Sequence, residues 1–103
     1  MEHILIALTN AVPGREAEFN EWYNGQHLTD VLAVDGIAAA RRYELATAQV
    51  AGARRSEYRY LAIYRIDDSP DATIRRFEAA REQMQFSEAL EQQRQVWVYT
   101  RLV

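Results

Sequence analysis

Apolar and polar residues recur along this chain with two different periods, and the changes of period mark out its elements. His3-Ile-Leu-Ile-Ala-Leu-Thr9 is short, apolar at successive positions and partly β-branched, which predicts a mostly buried strand ending at the turn residues Asn10, Pro13 and Gly14. From about Arg15 the period lengthens. Phe19, Trp22 and Tyr23 recur at spacings of three and four, as on one face of a helix, and Glu16 and Glu18 suit the exposed amides of its first turn. Gly25 is expected to loosen this helix before a last stretch, His27 to Val34, that stops at Asp35-Gly36.

Alternation returns from Ile37 to Leu45, with Arg41, Tyr43 and Leu45 on one face and Ala40, Arg42 and Glu44 on the other. Ala46 to Ser56 has small residues, Gly52 and no sustained period, and reads as a hairpin loop. Glu57 to Ile66 has a clear period of two: Tyr58, Tyr60, Ala62, Tyr64 and Ile66 share one face, while Leu61 and Ile63 sit opposite with Arg59 and Arg65. Ser69-Pro70-Asp71 has the chemistry of a helix start, with a capping hydroxyl, a proline in the first turn and a carboxylate against the dipole. Ile74, Phe77, Ala80 and Met84 mark that helix's buried stripe, with a break expected near Phe86-Ser87 and a resumption towards Gln92. Val96 to Val103 is a final strand, apolar on both faces, with Trp97 and Tyr99 together on one of them.

The order β-α-β-β-α-β predicts an α+β, ferredoxin-like fold: a four-stranded antiparallel sheet with two helices on one face, forming a single domain over residues 1–103. The helices leave the other sheet face bare. Because the strands are apolar on both sides, a second copy of the same sheet in two-fold contact is the simplest cover, and a homodimer is expected.

Composition sharpens this. Hydrophobic residues make up 49% of the 103 and aromatic ones 11%. A domain of this length hides only roughly 60–65% of its unfolded surface, so the surplus points to a partner surface or a pocket. The net charge is −3, the 12 basic residues are all arginine, and no basic patch forms, so nucleic acid is not an expected partner. The topology is shared with RNA-recognition motifs, and Tyr58 and Tyr60 lie on the third strand; yet the first strand has no aromatic and the third no glycine. Without cysteine there are no disulfides, thiolate metal sites or thiol nucleophiles. Ile4 to Leu8 is too short for a membrane span or a signal-peptide core, so the cytoplasm is the expected location and no membrane is involved.

The segment Pro13-Gly-Arg-Glu-Ala-Glu-Phe-Asn-Glu-Trp-Tyr-Asn-Gly-Gln-His27-Leu-Thr-Asp30 resembles the first helix of EthD-like proteins in the dimeric α/β-barrel superfamily. Their pattern is a glutamate, then phenylalanine, Trp-Tyr and a histidine with an acid nearby. It continues with a turn glycine and an arginine-tyrosine strand, matched here by Gly36 and Arg42-Tyr43. The motif covers the first half of the chain; the second half matches in element order and length. The resemblance implies two domains packed sheet to sheet, with a pocket between each sheet and its own helices. It also implies a range of activities, since the superfamily includes cofactor-free monooxygenases, isomerases, polyketide cyclases and haem-degrading enzymes. No segment follows the pattern of a long haem-binding insertion.

Among residues that could carry chemistry, His27 stands four after Tyr23 and three before Asp30, spacings that can place all three on one helical face. A carboxylate near the imidazole would raise its basicity and fix its tautomer, an arrangement suited to proton abstraction. A kink at Gly25 would rotate His27 relative to Tyr23. The alternative role for His27 is to pack the helix end and bond a backbone carbonyl. Trp22, Tyr64 and Trp97 are candidates to line an aromatic pocket, or else to fill the core or an interface. Arg42 is a candidate partner for a ligand's anionic or carbonyl group, or an ion-pair partner of Glu44 or Glu57. Asn20 and Asn24 sit on the same helix as His27. His3 and His27 lie far apart with no acid cluster between them, so no metal is expected, and no phosphate loop, nucleophile elbow or serine triad calls for a cofactor. Two functions fit: a small cofactor-independent enzyme (isomerase, cyclase, decarboxylase or monooxygenase) acting on an aromatic or polyketide-like carbonyl compound, or a non-catalytic protein binding a small hydrophobic or aromatic ligand.

Overall fold

In the computed structural model, which describes residues 2–103, β1 (His3–Thr9) lies inside a four-stranded sheet. It pairs antiparallel with β3 (Tyr60–Ile66) on one side and β4 (Gln95–Thr100) on the other, and β2 (Ile37–Glu44) completes the order β2-β3-β1-β4. One helical rod crosses the sheet between β1 and β2. It consists of α1 (Glu16–Trp22), a π-helical turn (Tyr23–His27) and α2 (Leu28–Leu32). The second helix, α3 (Pro70–Arg81), starts as its sequence dictates, with the Ser69 hydroxyl accepting the Ala72 amide at 3.4 Å.

Strand register assigns the two faces. Leu5 lies opposite Tyr64 and Val98, and Ala7 opposite Ala62 and Val96, on the side the helices cover. Phe19 and Val31 of the rod, both fully buried, close over Tyr64, which is 1% exposed. The opposite face carries Ile4, Ile6 and Leu8 beside Leu61 and Ile63, extended by Tyr43 of β2 and by Trp97 and Tyr99 of β4. Those last three are 48%, 52% and 55% exposed, so this apolar face is open in the single chain.

Three local expectations give way, two of them to identifiable competitors. The third strand begins at Tyr60 rather than Glu57, because Asn10 takes the backbone there: its amide nitrogen donates to the Glu57 carbonyl at 2.9 Å and its oxygen accepts the Arg59 amide at 2.8 Å. No helix resumes towards Gln92. The Ala89 carbonyl accepts from the Val12 amide and the Glu91 amide donates to the Asn10 carbonyl, so residues 89–91 are tied to the turn after β1. The last strand ends at Thr100, not Val103. On α3 the fully buried residue is Thr73, while Ile74, Phe77 and Ala80, like Met84 just beyond its end, are half-buried.

Thr73 sits under Gly36, whose φ of 102° is a conformation that favours glycine. A β-carbon at position 36 would collide with the Thr73 hydroxyl and lie 3.1 Å from its methyl group. Gly36→Ala should therefore destabilise the protein by about 2–3 kcal/mol in urea melts, combining backbone strain with overpacking. Gly14→Ala is the control. Its φ is 85° but nothing lies near the added carbon, so only the backbone penalty of about 1 kcal/mol applies. Equal losses at the two positions would show that the Thr73 contact is not tight.

Candidate functional site

The site starts from the π-helical turn. In an α-helix, residues five apart point roughly 140° away from each other, whereas the wider i→i+5 turn of a π-helix brings them into line. Trp22 and His27 are five apart, and their rings stack with centroids 4.6 Å apart at 24°. Tyr23 keeps its edge-on contact with the same imidazole at 4.7 Å. Gly25 lies inside this turn, and the Thr29 hydroxyl donates to its carbonyl at 2.9 Å. The irregularity at Gly25 thus adds Trp22 to the His27 pair instead of rotating His27 away from Tyr23. Phe86 closes the cluster at 5.5 Å from His27, on the segment that the Trp22 indole N–H holds by donating to the Gln85 carbonyl at 3.0 Å.

These rings wall a cavity between sheet and helices. Leu5, Ala7, Tyr64 and Val96 line it from the sheet, Trp22, Tyr23 and His27 from the helical rod, Phe77 from α3 and Phe86 from the segment after α3. About 40 Å³ is open to the centres of water molecules, room for roughly three waters. Arg81 and Arg94 also line it, and no aspartate or glutamate does.

Its polar groups are few. The Tyr23 and Tyr64 hydroxyls are 3.1 Å apart, and burial pushes both phenols above their ordinary range, so both keep their protons. One of the two O–H groups donates within the pair, which leaves the other free to donate elsewhere. His27 is 7% exposed and its Nδ1 is buried with no hydrogen-bond partner. Burial lowers its pKa to about 4; Asp30 opposes this and the cations Arg42 and Arg94 add to it. His27 is therefore a neutral imidazole at physiological pH, in a place where a polar ring atom goes unanswered.

The cavity brings together four of the residues singled out by sequence: Trp22, Tyr23, His27 and Tyr64. Three others lie elsewhere. Asp30 makes no hydrogen bond to His27, and its raising influence on the imidazole is smaller than the effect of burial, so it does not make His27 more basic than usual. Arg42 pairs with neither Glu44 nor Glu57. Its Nη1 donates to the Asn24 oxygen at 2.6 Å, and its guanidinium lies 4.1 Å from the centre of the Tyr23 ring, behind the cavity wall. Glu44 pairs with Arg59, and Glu57 with Arg54 at 3.9 Å. Trp97 sits on the open sheet face opposite Ile6, across the sheet from the cavity. Asn20 is taken by the Glu16 carbonyl and the Tyr60 hydroxyl, and His3 by Thr100. Sequence reasoning misses Phe86, Arg81 and Arg94: Arg81 stands four residues after Phe77 on the same face of α3, a spacing that could have marked it, whereas Phe86 and Arg94 flank residues 89–91, which are tied back to the turn after β1 by long-range contacts with no periodic trace. Among the described residues no three histidine or carboxylate side chains are grouped to hold a metal ion, and no helix is long and apolar enough to cross a membrane.

No protein-family model and no curated protein matches the sequence. Solved structures do. An EthD family protein from Bacillus halodurans shares the fold with a TM-score of 0.65 at 16% identity, over 99% of this chain and all (100%) of that one. A DABB family protein with a ferredoxin-like fold from Mesorhizobium loti gives 0.67 at 8% identity, covering 99% and 98% of the two chains. SnoaB, a cofactor-independent oxygenase from Streptomyces nogalater, gives 0.60 at 18% identity over 97% and 92%. At these identities the likeness is one of architecture, and it bears out the ferredoxin-like fold predicted from the order of elements.

Proposed function

We propose that this chain is a small cofactor-independent enzyme that removes a proton from an aromatic or polyketide-like carbonyl compound bound in the cavity beside His27, and that it works as a homodimer through its open sheet face. The observation that carries the reading is His27 itself, a neutral imidazole with an unanswered nitrogen next to a protonated tyrosine pair. Isomerisation, cyclisation, decarboxylation and oxygenation of such compounds can all pass through an enolate. His27 accepts the proton. The free O–H of the Tyr23–Tyr64 pair donates to the oxygen on which negative charge develops, and Trp22 and Phe86 hold the ring.

A base with a pKa near 4 is weak in water. Here its conjugate acid forms only next to an enolate, and in a site of low dielectric the two charges stabilise each other. A ligand larger than a few waters enters by displacing Phe86, which is 40% exposed. The cofactor-independent oxygenase among the matched structures is consistent with this chemistry in such a fold.

Deuterium exchange tests the proposal without knowledge of the natural substrate. The protein in heavy water should speed exchange of the acidic C–H of 1-phenyl-1,3-butanedione, followed by proton NMR, and His27→Gln should abolish the acceleration. Binding of the diketone without faster exchange would instead make the chain a carrier, and acceleration that survives His27→Gln would place the base elsewhere.

A further inference from the structure

Arg81 comes from the last turn of α3 and Arg94 from the residue before β4, yet both line the cavity that holds His27. Neither has a carboxylate within 4.0 Å; the same holds for Arg41, Arg42, Arg55 and Arg75, but none of those four lines the cavity. Glu78, one turn before Arg81 on α3, forms no ion pair with it. The Arg94 guanidinium lies 5.8 Å from the centre of the Phe86 ring, which itself packs on His27 and Trp22. Two cations thus stand at the opening of a cavity whose walls are aromatic and aliphatic and include no acid. Glu78 and Glu82 border Arg81 on the outer surface of α3, so within the cavity itself the two arginines are the only charged groups that could meet an anion.

From this shared lining we infer that Arg81 and Arg94 form a carboxylate-binding mouth, and that the ligand is an aromatic carboxylate with its ring against Trp22 and His27, where Phe86 now packs, and its anionic group between the two guanidiniums. The inference rests on the reading of the cavity as a ligand site and names the class of ligand it takes. Both side chains can offer forked N–H donors to a carboxylate, and both are exposed enough to adjust to one. The position of Arg94 also accounts for its influence on His27: its charge disfavours the imidazolium, and a bound carboxylate would offset that charge.

The test compares 2-naphthoate with its uncharged counterpart, 2-naphthamide. Binding is followed by the two indole N–H signals in a nitrogen–proton NMR spectrum, with affinities from calorimetry at low salt. The Trp22 signal should move and that of Trp97, on the far face, should not. Wild-type protein should bind the carboxylate at least about tenfold more tightly than the amide, the usual scale of a charge-assisted contact near the surface. In an Arg81→Gln, Arg94→Gln variant, checked for folding by circular dichroism, that preference should collapse towards one while amide binding persists. Equal wild-type affinities, or a preference that survives both substitutions, would overturn the carboxylate mouth and leave the cavity reading standing. Failure of both probes to move the Trp22 signal would overturn the two together.

Discussion

Ile6→Glu is expected to turn a particle of about twice the 11.9 kDa chain mass into monomer or unfolded chain. Ile6 lies at the centre of the open sheet face, opposite Ile63 of β3 on one side and Trp97 of β4 on the other, with no cation directly across from it. If two sheets meet there, the substitution places two unpaired carboxylates in a dry interface, at a cost of about 3–5 kcal/mol each. Ala79→Glu, at an exposed position on α3, adds the same charge away from the proposed interface and should leave the mass unchanged. Sedimentation at micromolar concentration separates the outcomes. A wild-type monomer, or an Ile6→Glu dimer, would remove the open face from the account.

His27→Phe is expected to lose exchange activity by about 10²–10⁴-fold, the usual contribution of a positioned acid–base group, without losing stability at pH 7. The phenyl ring keeps the stacking between Trp22 and Tyr23 and removes a buried nitrogen that has no partner, so stability should match or exceed wild type by about 1 kcal/mol. The gap should widen in acid. His27 titrates at 6.5 in the unfolded chain and at about 4 in the folded one, so between those values only the unfolded state takes up the proton. Wild-type stability therefore falls as pH drops from 6.5 through 4, by about 2–3 kcal/mol from this residue, and His27→Phe escapes that loss. Urea melts at pH 7 and pH 4.5 read both effects. A variant clearly less stable than wild type at pH 7 would mean that His27 makes a structural bond.

The sequence announces the fold plainly because the sheet's two faces are written in period two. Tyr60, Ala62, Tyr64 and Ile66 all turn to the helices, and Ser69-Pro70 caps α3 as its chemistry requires. The site is legible only in part. Tyr23 and His27 are four apart and meet as any such helical pair can, but Trp22 joins them through a π-helical turn, for which Gly25 is the only sequence mark. Spacing also suggests Asp30 as the partner of His27, whereas the burial that governs the imidazole comes from distant segments. Phe86 and Arg94 leave no trace in the spacing, because the hydrogen bonds between residues 10–12 and 89–91 hold the segment that carries them and no periodicity encodes those contacts; Arg81, four residues after Phe77 on α3, is legible from helical spacing.

On this reading His27 is kept neutral, with an unpartnered ring nitrogen, beside a small cavity between sheet and helices. A pH titration of its ring by NMR, with His27→Gln to assign the signal, tests this most directly. The expected midpoint is near 4, with the imidazole uncharged throughout the physiological range. A midpoint at or above 6.5 would show a histidine that is solvated or paired with a carboxylate, and would contradict the account.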